Sequence, residues 1–109
     1  MISAAPVPEI VCLTRQRLLL IMSARLPEMV RMFGVVSLRL FGSAARDELR
    51  DDSDVDVLVE FTTAATYTRY MGLKFFLEDL LGRQVDLVTT KALRQEFRLA
   101  VEQEAISVA

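Results

Sequence analysis

The chain has 109 residues, of which 52% are hydrophobic and 26% are charged, and its net charge is −2. This length allows one domain, and this balance predicts a folded chain. The acidic charge argues against stable nucleic-acid binding, and the absence of histidine excludes serine-type triads and the usual zinc sites.

Cellular location can be inferred from the cysteine and from the apolar runs. The single cysteine, Cys12, cannot form an internal disulfide and fits a reducing cytoplasm. The longest apolar run, Leu18 to Met22, is far too short to span a bilayer, and no basic segment typical of a signal peptide precedes it. We therefore expect a cytoplasmic protein without a membrane anchor.

The N-terminal part of the chain is predicted to be helical. A first helix from about Glu9 to Ser23 carries apolar residues on most of its sides, which indicates burial on more than one face. Either a second molecule or the protein's own core could cover those faces, and the pattern favours neither. A second helix is predicted from Pro27 to Phe33, ended by Gly34 in the left-handed conformation.

The rest of the chain alternates between strand-like and helix-like patterns. This order predicts an α/β (α+β) fold with a small mixed sheet covered by helices. The predicted strands are Val35 to Phe41, Asp54 to Phe61 and Gln84 to Val88, and the predicted helices are Ala44 to about Leu49, Tyr67 to Leu81 and Ala92 to Glu104.

Acidic side chains are expected to gather on one face of this sheet. Because strand side chains alternate, Asp54 and Asp56 point one way while the valines between them point the other way. Asp86 joins them if its strand pairs nearby. Crowded carboxylates raise one another's pKa unless a cation neutralises them, and Mg²⁺ suits an all-oxygen site. Three such acids can hold two metal ions about 4 Å apart for nucleotidyl displacement.

A second group of residues favours binding of phosphate. Gly42 and Ser43 follow a strand and open a helix, where backbone N–H groups attract an anion and the serine hydroxyl adds a donor. Arg46 lies one turn further on and could reach the same phosphates. Each feature alone is typical of an ordinary turn or a solvated surface, so the hypothesis depends on their combination.

The spacing of these residues resembles the signature of the DNA polymerase β-like nucleotidyltransferase superfamily. That signature is Gly-Ser, ten residues, then Asp-x-Asp, as in Gly42-Ser43 and Asp54-Val55-Asp56 here. Val85-Asp86-Leu87-Val88 is similar to the superfamily's third-acid strand. The resemblance covers about residues 25–108 and is strongest to the minimal nucleotidyltransferases, the MNT proteins. It predicts one domain over residues 1–109, with a helical lead-in (about 9–33) and a catalytic core (about 35–108).

The resemblance also implies a mechanism and a partner. It implies that Gly42, Ser43 and Arg46 hold the triphosphate of ATP, and that Asp54, Asp56 and Asp86 form the catalytic and metal-binding set for two Mg²⁺ ions. Many MNT proteins are antitoxins paired with a HEPN toxin, and some transfer AMP to a toxin tyrosine. We therefore expect transfer of AMP to a hydroxyl of a HEPN-type partner, within a homo- or hetero-oligomer.

One residue departs from the family pattern. Many members have glycine after the motif arginine, whereas this chain has Asp47, an added carboxylate that could weaken nucleotide binding if it faces the phosphates. This departure and the apolar first helix leave an alternative: a catalytically weak or inactive binding antitoxin that neutralises its partner by complex formation. Transfer to a small molecule is disfavoured because the chain has no length for a substrate domain.

Overall fold

The computed structural model describes residues 14–50, 53–62, 66–92, 99, 101 and 103–108. None of the helices in these residues has the length and apolar character needed to cross a membrane. In chain order the elements are α1 (Arg15–Phe33), β1 (Val35–Phe41), α2 (Gly42–Ala45), β2 (Val55–Phe61), α3 (Tyr67–Leu81), β3 (Val85–Thr89) and β4 (Ile106–Ser107).

The N-terminal helix is one continuous element, so the prediction of two helices separated before Pro27 was wrong. Pro27 lies inside α1, although proline removes a helical hydrogen bond. Leu18, Met22 and Met29, on both sides of the proline, are fully buried in the same core, and this packing stabilises the helix through the proline. Gly34 ends the helix in the left-handed conformation, as predicted. Residues 9–13 of the predicted first helix lie outside the described residues.

Only part of α1 is covered by the protein's own core. Leu18, Met22 and Met29 are buried, whereas Leu20 and Met32 are 64% and 56% exposed. The helix is therefore buried along one side. Burial in the protein's own core does not account for its remaining apolar residues, and the possibility of a second molecule on that surface stays open.

A four-stranded mixed sheet with the strand order β3-β2-β1-β4 forms the centre of the fold. β1 runs antiparallel to β2 and β4, while β2 and β3 are parallel. The α/β fold with a small mixed sheet is thus confirmed. The edge strand β4 was not predicted because two residues carry no periodicity. Most of the predicted final helix lies outside the described residues; Ala92 is in a turn, while residues 99, 101, 103 and 104 are helical.

The core joins the helices to the valine positions of β2. Val55, Val57 and Val59 are fully buried together with Leu73 and Leu77 of α3. Each such side chain contributes about 1.5–3 kcal/mol when removed from water. This packing fixes the orientation of β2. Because strand side chains alternate, Asp56 then points away from the core face that Val55 and Val57 occupy.

Candidate active site

The strand register brings two of the predicted acids side by side. Asp56 is the direct partner of Asp86 in the parallel pair of β2 and β3, and it also lies opposite Phe41 at the end of β1. Paired residues of neighbouring strands project from the same face of a sheet. Asp54 immediately precedes β2, two positions before Asp56, and is exposed. The three aspartates therefore meet at the amino-terminal ends of β2 and β3.

The electrostatics of Asp56 reflect this crowding. Burial, followed by the charge and a hydrogen bond of Asp86 and the charge of Asp54, raises the pKa of Asp56 to about 6. Arg46 opposes this shift by stabilising the charged carboxylate. Asp56 is half-buried, whereas Asp54 and Asp86 are exposed. The negative charges of Asp54 and Asp86 therefore disfavour ionisation of Asp56, and a bound cation would offset this repulsion.

Gly42 is packed directly against the Asp56 carboxylate. Its φ angle is +66°, and a Cβ built on it would lie 2.2 Å from Oδ2 of Asp56. Only glycine fits such a conformation and such an approach without displacing the acid. The sequence predicted a glycine that admits a phosphate, and the structure adds that the same glycine admits the Asp56 carboxylate. Ser43 follows it in α2, half-buried, and its carbonyl accepts a hydrogen bond from the Glu48 N–H (2.8 Å).

Arg46 is held by two glutamates. Its Nε donates to Oε1 of Glu48 at 3.0 Å, and its Nη1 donates to Oε2 of Glu104 at 2.7 Å. The other oxygen of Glu104 accepts the backbone N–H of Gly42 at 3.0 Å. Because Phe41 has no capping oxygen, the carboxylate of Glu104 serves the first amide of α2. These bonds, that from Arg46 foremost, lower the pKa of Glu104.

Sequence reasoning missed Glu104. It is 62 residues from Gly42 along the chain, in a segment that the sequence predicts only as a helix end. No local pattern marks such a contact, because it depends on how β4 docks beside β1. An acidic residue at the end of a helix, just before an apolar pair, was the one available signal.

Asp47 is hydrogen-bonded to the start of α1. It has a φ of +61°, and its Oδ1 accepts the N–H of Arg15 at 2.8 Å, in the first turn of α1. The Arg15 guanidinium donates in turn to the Ala45 carbonyl at 3.1 Å. Aspartate tolerates the left-handed conformation better than most residues, which explains how it can replace a glycine here. Asp47, the residue that departs from the family pattern, therefore supplies a hydrogen-bond acceptor for the first amide of α1.

Hydrogen bonds between Arg50 and Ser53 lie just before Asp54 in the chain. The Ser53 N–H donates to the Arg50 carbonyl at 3.1 Å, and the Arg50 N–H donates back to the Ser53 hydroxyl at 3.2 Å. The Arg83 guanidinium also donates to the Arg50 carbonyl, which ties Arg50 to the segment just before β3. Asp54 and Asp86 are thus positioned by segments that are hydrogen-bonded to each other.

The donor set fits a hard cation with few protein ligands. Within the described residues, no three His, Cys, Asp or Glu side chains are grouped closely enough to form a metal site by themselves. Mg²⁺ commonly uses one or two carboxylates and takes its other ligands from water and phosphates. The repulsion among Asp54, Asp56 and Asp86 and their all-oxygen chemistry agree with that form of site.

A large cavity lies at the opposite ends of the same strands. It has a volume of about 600 Å³ and is lined mainly by the carboxyl-terminal ends of β2 and β3 and by the start of α3. None of the three aspartates, and none of the residues of the Gly-Ser turn, lines it. Tyr70 lines this cavity, and its hydroxyl donates a hydrogen bond to the carbonyl of Leu87, which also lines it.

Comparison with known proteins agrees with this geometry. Residues 23–108 match the family described as the nucleotidyltransferase domain. A protein adenylyltransferase of Thermococcus cleftensis, MntA, is 36% identical over 96 residues, which cover 88% of this chain and 97% of the relative. A solved structure assigned to a minimal nucleotidyltransferase is 41% identical, with a TM-score of 0.69, covering 81% of this chain and 93% of that chain.

More distant structures share the fold alone. One holds a tri-AMPylated HEPN toxin of Shewanella oneidensis in complex with an MNT antitoxin; the match has a TM-score of 0.61 at 18% identity and covers 87% of this chain and 71% of that chain. Another, a toxin–antitoxin with AMP-PNP, matches with a TM-score of 0.66 at 19% identity and covers 79% of this chain and 71% of that chain.

The small mixed sheet of this chain is the nucleotidyltransferase fold that it shares with that minimal nucleotidyltransferase. The chain belongs to the nucleotidyltransferase domain family and is similar over most of its length to protein adenylyltransferases.

Proposed function

We propose that this protein transfers AMP from ATP to a hydroxyl, a tyrosine in our hypothesis, of a HEPN-type toxin, and so acts as the antitoxin of a toxin–antitoxin pair. The observation that carries the proposal is the meeting of Asp54 and Asp86 at Asp56, directly against Gly42. Support for the protein substrate comes from the similar protein adenylyltransferase, and support for the partner comes from the fold shared with an MNT antitoxin bound to a HEPN toxin.

In this proposal the three aspartates have separate roles. Asp54 and Asp56 would hold Mg²⁺, with Asp86 beside them as a third ligand or as the base. A bound divalent cation supplies charge neutralisation for the triphosphate and for the leaving pyrophosphate. Asp86 accepts the proton of the acceptor hydroxyl, whose oxygen forms the new bond to the α-phosphorus. The bond from that phosphorus to pyrophosphate breaks, and the donors around Ser43 and Arg46 stabilise the departing charge.

The direct test uses ATP labelled at the α-phosphate, because that phosphorus is transferred. The protein is incubated with Mg²⁺, the labelled ATP and its HEPN-type partner. We expect label on the partner, absent when the partner's acceptor tyrosine is changed to phenylalanine. An unlabelled partner with every divalent cation tried would contradict the proposal.

The alternative, neutralisation by binding alone, is separated by one variant. Asp54→Asn with Asp56→Asn removes the metal-binding charges and leaves the outer surfaces of α1 and α3 unchanged. If this double variant still neutralises the toxin fully, complex formation suffices. The position of Asp47 at the start of α1 removes one of the reasons for that alternative.

A further inference from the structure

The donors assigned to the nucleotide phosphates already hold an anion from the same chain. Oε1 of Glu104 lies 3.0 Å from the Gly42 nitrogen, and its Oε2 lies 2.7 Å from Nη1 of Arg46. A bidentate carboxylate between a backbone N–H and a guanidinium imitates the way in which those groups would bind phosphate oxygens. Glu104 therefore stands where part of the triphosphate is expected to bind.

We propose that Glu104 is a specificity-determining residue that competes with phosphate for Gly42 and Arg46, so that the site accepts cation-bound nucleotide and rejects free nucleotide. This inference rests on the proposed function, because it assigns a nucleotide phosphate to the same donors.

The charges around the site make this competition effective. Asp56 packs against Gly42, pairs with Asp86 in the strand register and lies two positions after Asp54. With Arg46 paired to Glu104, the positive charge available to an incoming triphosphate is reduced. A free triphosphate would have to displace a carboxylate and approach three others. A nucleotide that arrives with a divalent cation brings the charge that compensates for this repulsion.

The geometry allows Glu104 to leave without unfolding its surroundings. Its side chain is about one third exposed, and its pair with Arg46 is half open to solvent. The backbone beyond it is anchored, because Ile106 pairs with Leu40 and the Val108 N–H donates to the Leu38 carbonyl at 2.9 Å. The carboxylate can therefore rotate away while β4 stays paired. Partly exposed ion pairs contribute little to stability, so they exchange readily.

Glu48 provides a matched control for this role. It also pairs with Arg46, at 3.0 Å, but the structure gives it no bond to the Gly42 amide, and its side chain is 64% exposed. Removing its charge changes the local field by the same formal amount as removing that of Glu104. In a Glu48 variant, Glu104 still accepts the Gly42 N–H and the Nη1 donor of Arg46.

Binding is measured by isothermal titration calorimetry with ATP and with inorganic tripolyphosphate, each with and without Mg²⁺. We expect Glu104→Gln to strengthen binding without Mg²⁺ by roughly twofold to fivefold, the range expected for releasing one partly exposed carboxylate pair. Binding with Mg²⁺ should strengthen by less, because the cation already offsets part of the ligand's charge, so the ratio of affinities with and without Mg²⁺ should fall. Glu48→Gln should change both values by less than about twofold.

Opposite results separate the two proposals. If Glu104→Gln binds tripolyphosphate more weakly than the wild type, or with an unchanged dependence on Mg²⁺, Glu104 positions the donors and does not compete. If the wild type binds neither ATP nor tripolyphosphate even with Mg²⁺, the proposed function itself fails.

A measurement on the wild type avoids any folding defect in the variant. In the ¹⁵N-labelled protein, tripolyphosphate with Mg²⁺ should shift the Arg46 Nε and Gly42 amide resonances, because it replaces Glu104 at both groups. The same concentration without Mg²⁺ should leave them nearly unchanged. Equal shifts under the two conditions would overturn the competition.

Discussion

The two ends of the β2–β3 pair carry different kinds of surface. The amino-terminal ends present Asp54, Asp56 and Asp86, with the Gly-Ser turn beside them. The carboxyl-terminal ends and the start of α3 enclose a cavity of about 600 Å³ with apolar and aromatic walls. Ligands of open parallel sheets usually bind at the carboxyl ends of the strands. Here the carboxyl ends have the volume, and the amino ends have the three aspartates.

The antiparallel strand β1 explains why the proposed active site lies at the amino ends of β2 and β3. β1 ends opposite the beginning of β2, with Phe41 paired to Asp56, so the turn at Gly42 reaches the acids directly. In a wholly parallel sheet that turn would lie at the other end. Cavity size alone would thus select a region other than the proposed active site, because phosphate transfer depends on charge and hydrogen-bond donors placed around a small volume.

The largest expected effect compares two carboxylates on the same strand. Asp56→Asn should lower AMP transfer by about 10²-fold or more, since it removes charge at the reacting centre. Glu60→Gln, at the cavity end of β2, should leave the rate nearly unchanged because Glu60 is exposed and distant from the three aspartates in the register. Rates are measured with α-labelled ATP, and circular dichroism checks that both variants fold. Equal losses of rate in the two variants would contradict the assignment of the active site to the amino-terminal ends of β2 and β3.

Two glycines with the same backbone conformation isolate the contact with Asp56. Gly42 and Gly82 have φ angles of +66° and +67°, but a Cβ meets Asp56 at 2.2 Å only in the first case and meets nothing within 4 Å in the second. Gly82→Ala should cost about 1 kcal/mol in free energy of unfolding, from backbone strain alone. Gly42→Ala should cost about 1 kcal/mol more and reduce AMP transfer at least about tenfold, because the Asp56 carboxylate must rotate away.

A double-variant cycle sharpens this test. In an Asp56→Ala background the carboxylate is absent, so Gly42→Ala should cost no more than Gly82→Ala does. Urea unfolding gives each free energy. An additive result, with no coupling between positions 42 and 56, would show that the close approach does not constrain Asp56.

The raised pKa of Asp56 predicts a pH dependence of stability. Its pKa is about 6 in the folded chain, above the ordinary aspartate value of about 4. Between these values the folded state binds more protons than the unfolded state, so the free energy of unfolding falls as pH rises from about 4 to about 6 and stays lower above that. Because Asp56 is half open to solvent, we expect a loss of about 1 kcal/mol.

Removing the titrating group gives the control for this prediction. Asp56→Asn should show a flatter profile across the same pH window and should be more stable than the wild type at pH 7. Urea unfolding at several pH values, without divalent cations, measures both. A variant that is less stable at pH 7 would show that the ionised Asp56 has a stabilising structural role.

The smallest expected effect concerns Asp47, which lies outside both ends of the strand pair. Asp47→Gly relieves the left-handed strain but loses the bond to the Arg15 N–H, so the free energy of unfolding should change by less than about 1 kcal/mol. Asp47→Ala loses the bond and keeps the strain, and should cost about 1–2 kcal/mol. Both variants should transfer AMP at the wild-type rate. Faster transfer by Asp47→Gly would mean that this carboxylate opposes the nucleotide.

The sequence by itself determined the features that depend on neighbouring residues. The alternation of aspartate and valine predicted which side of β2 is buried, and Gly34 and Gly82 marked two helix ends, because strand pleat and left-handed caps are local properties. The spacing from Gly42 to Asp54 also predicted the family, because a motif is a property of the sequence itself. The proposed chemistry of the three acids stays a prediction, which the sequence made from their combination and spacing.

The tertiary structure decided whatever depends on distant contacts. The pairing of Asp56 with Asp86 is a matter of strand register, and the bonds from Glu104 to Gly42 and Arg46 need β4 at the edge of β1. Core packing carried α1 through Pro27 against its local preference. These contacts join residues far apart in the chain, and their free energies come from burial and charge in the folded state, which no local pattern encodes.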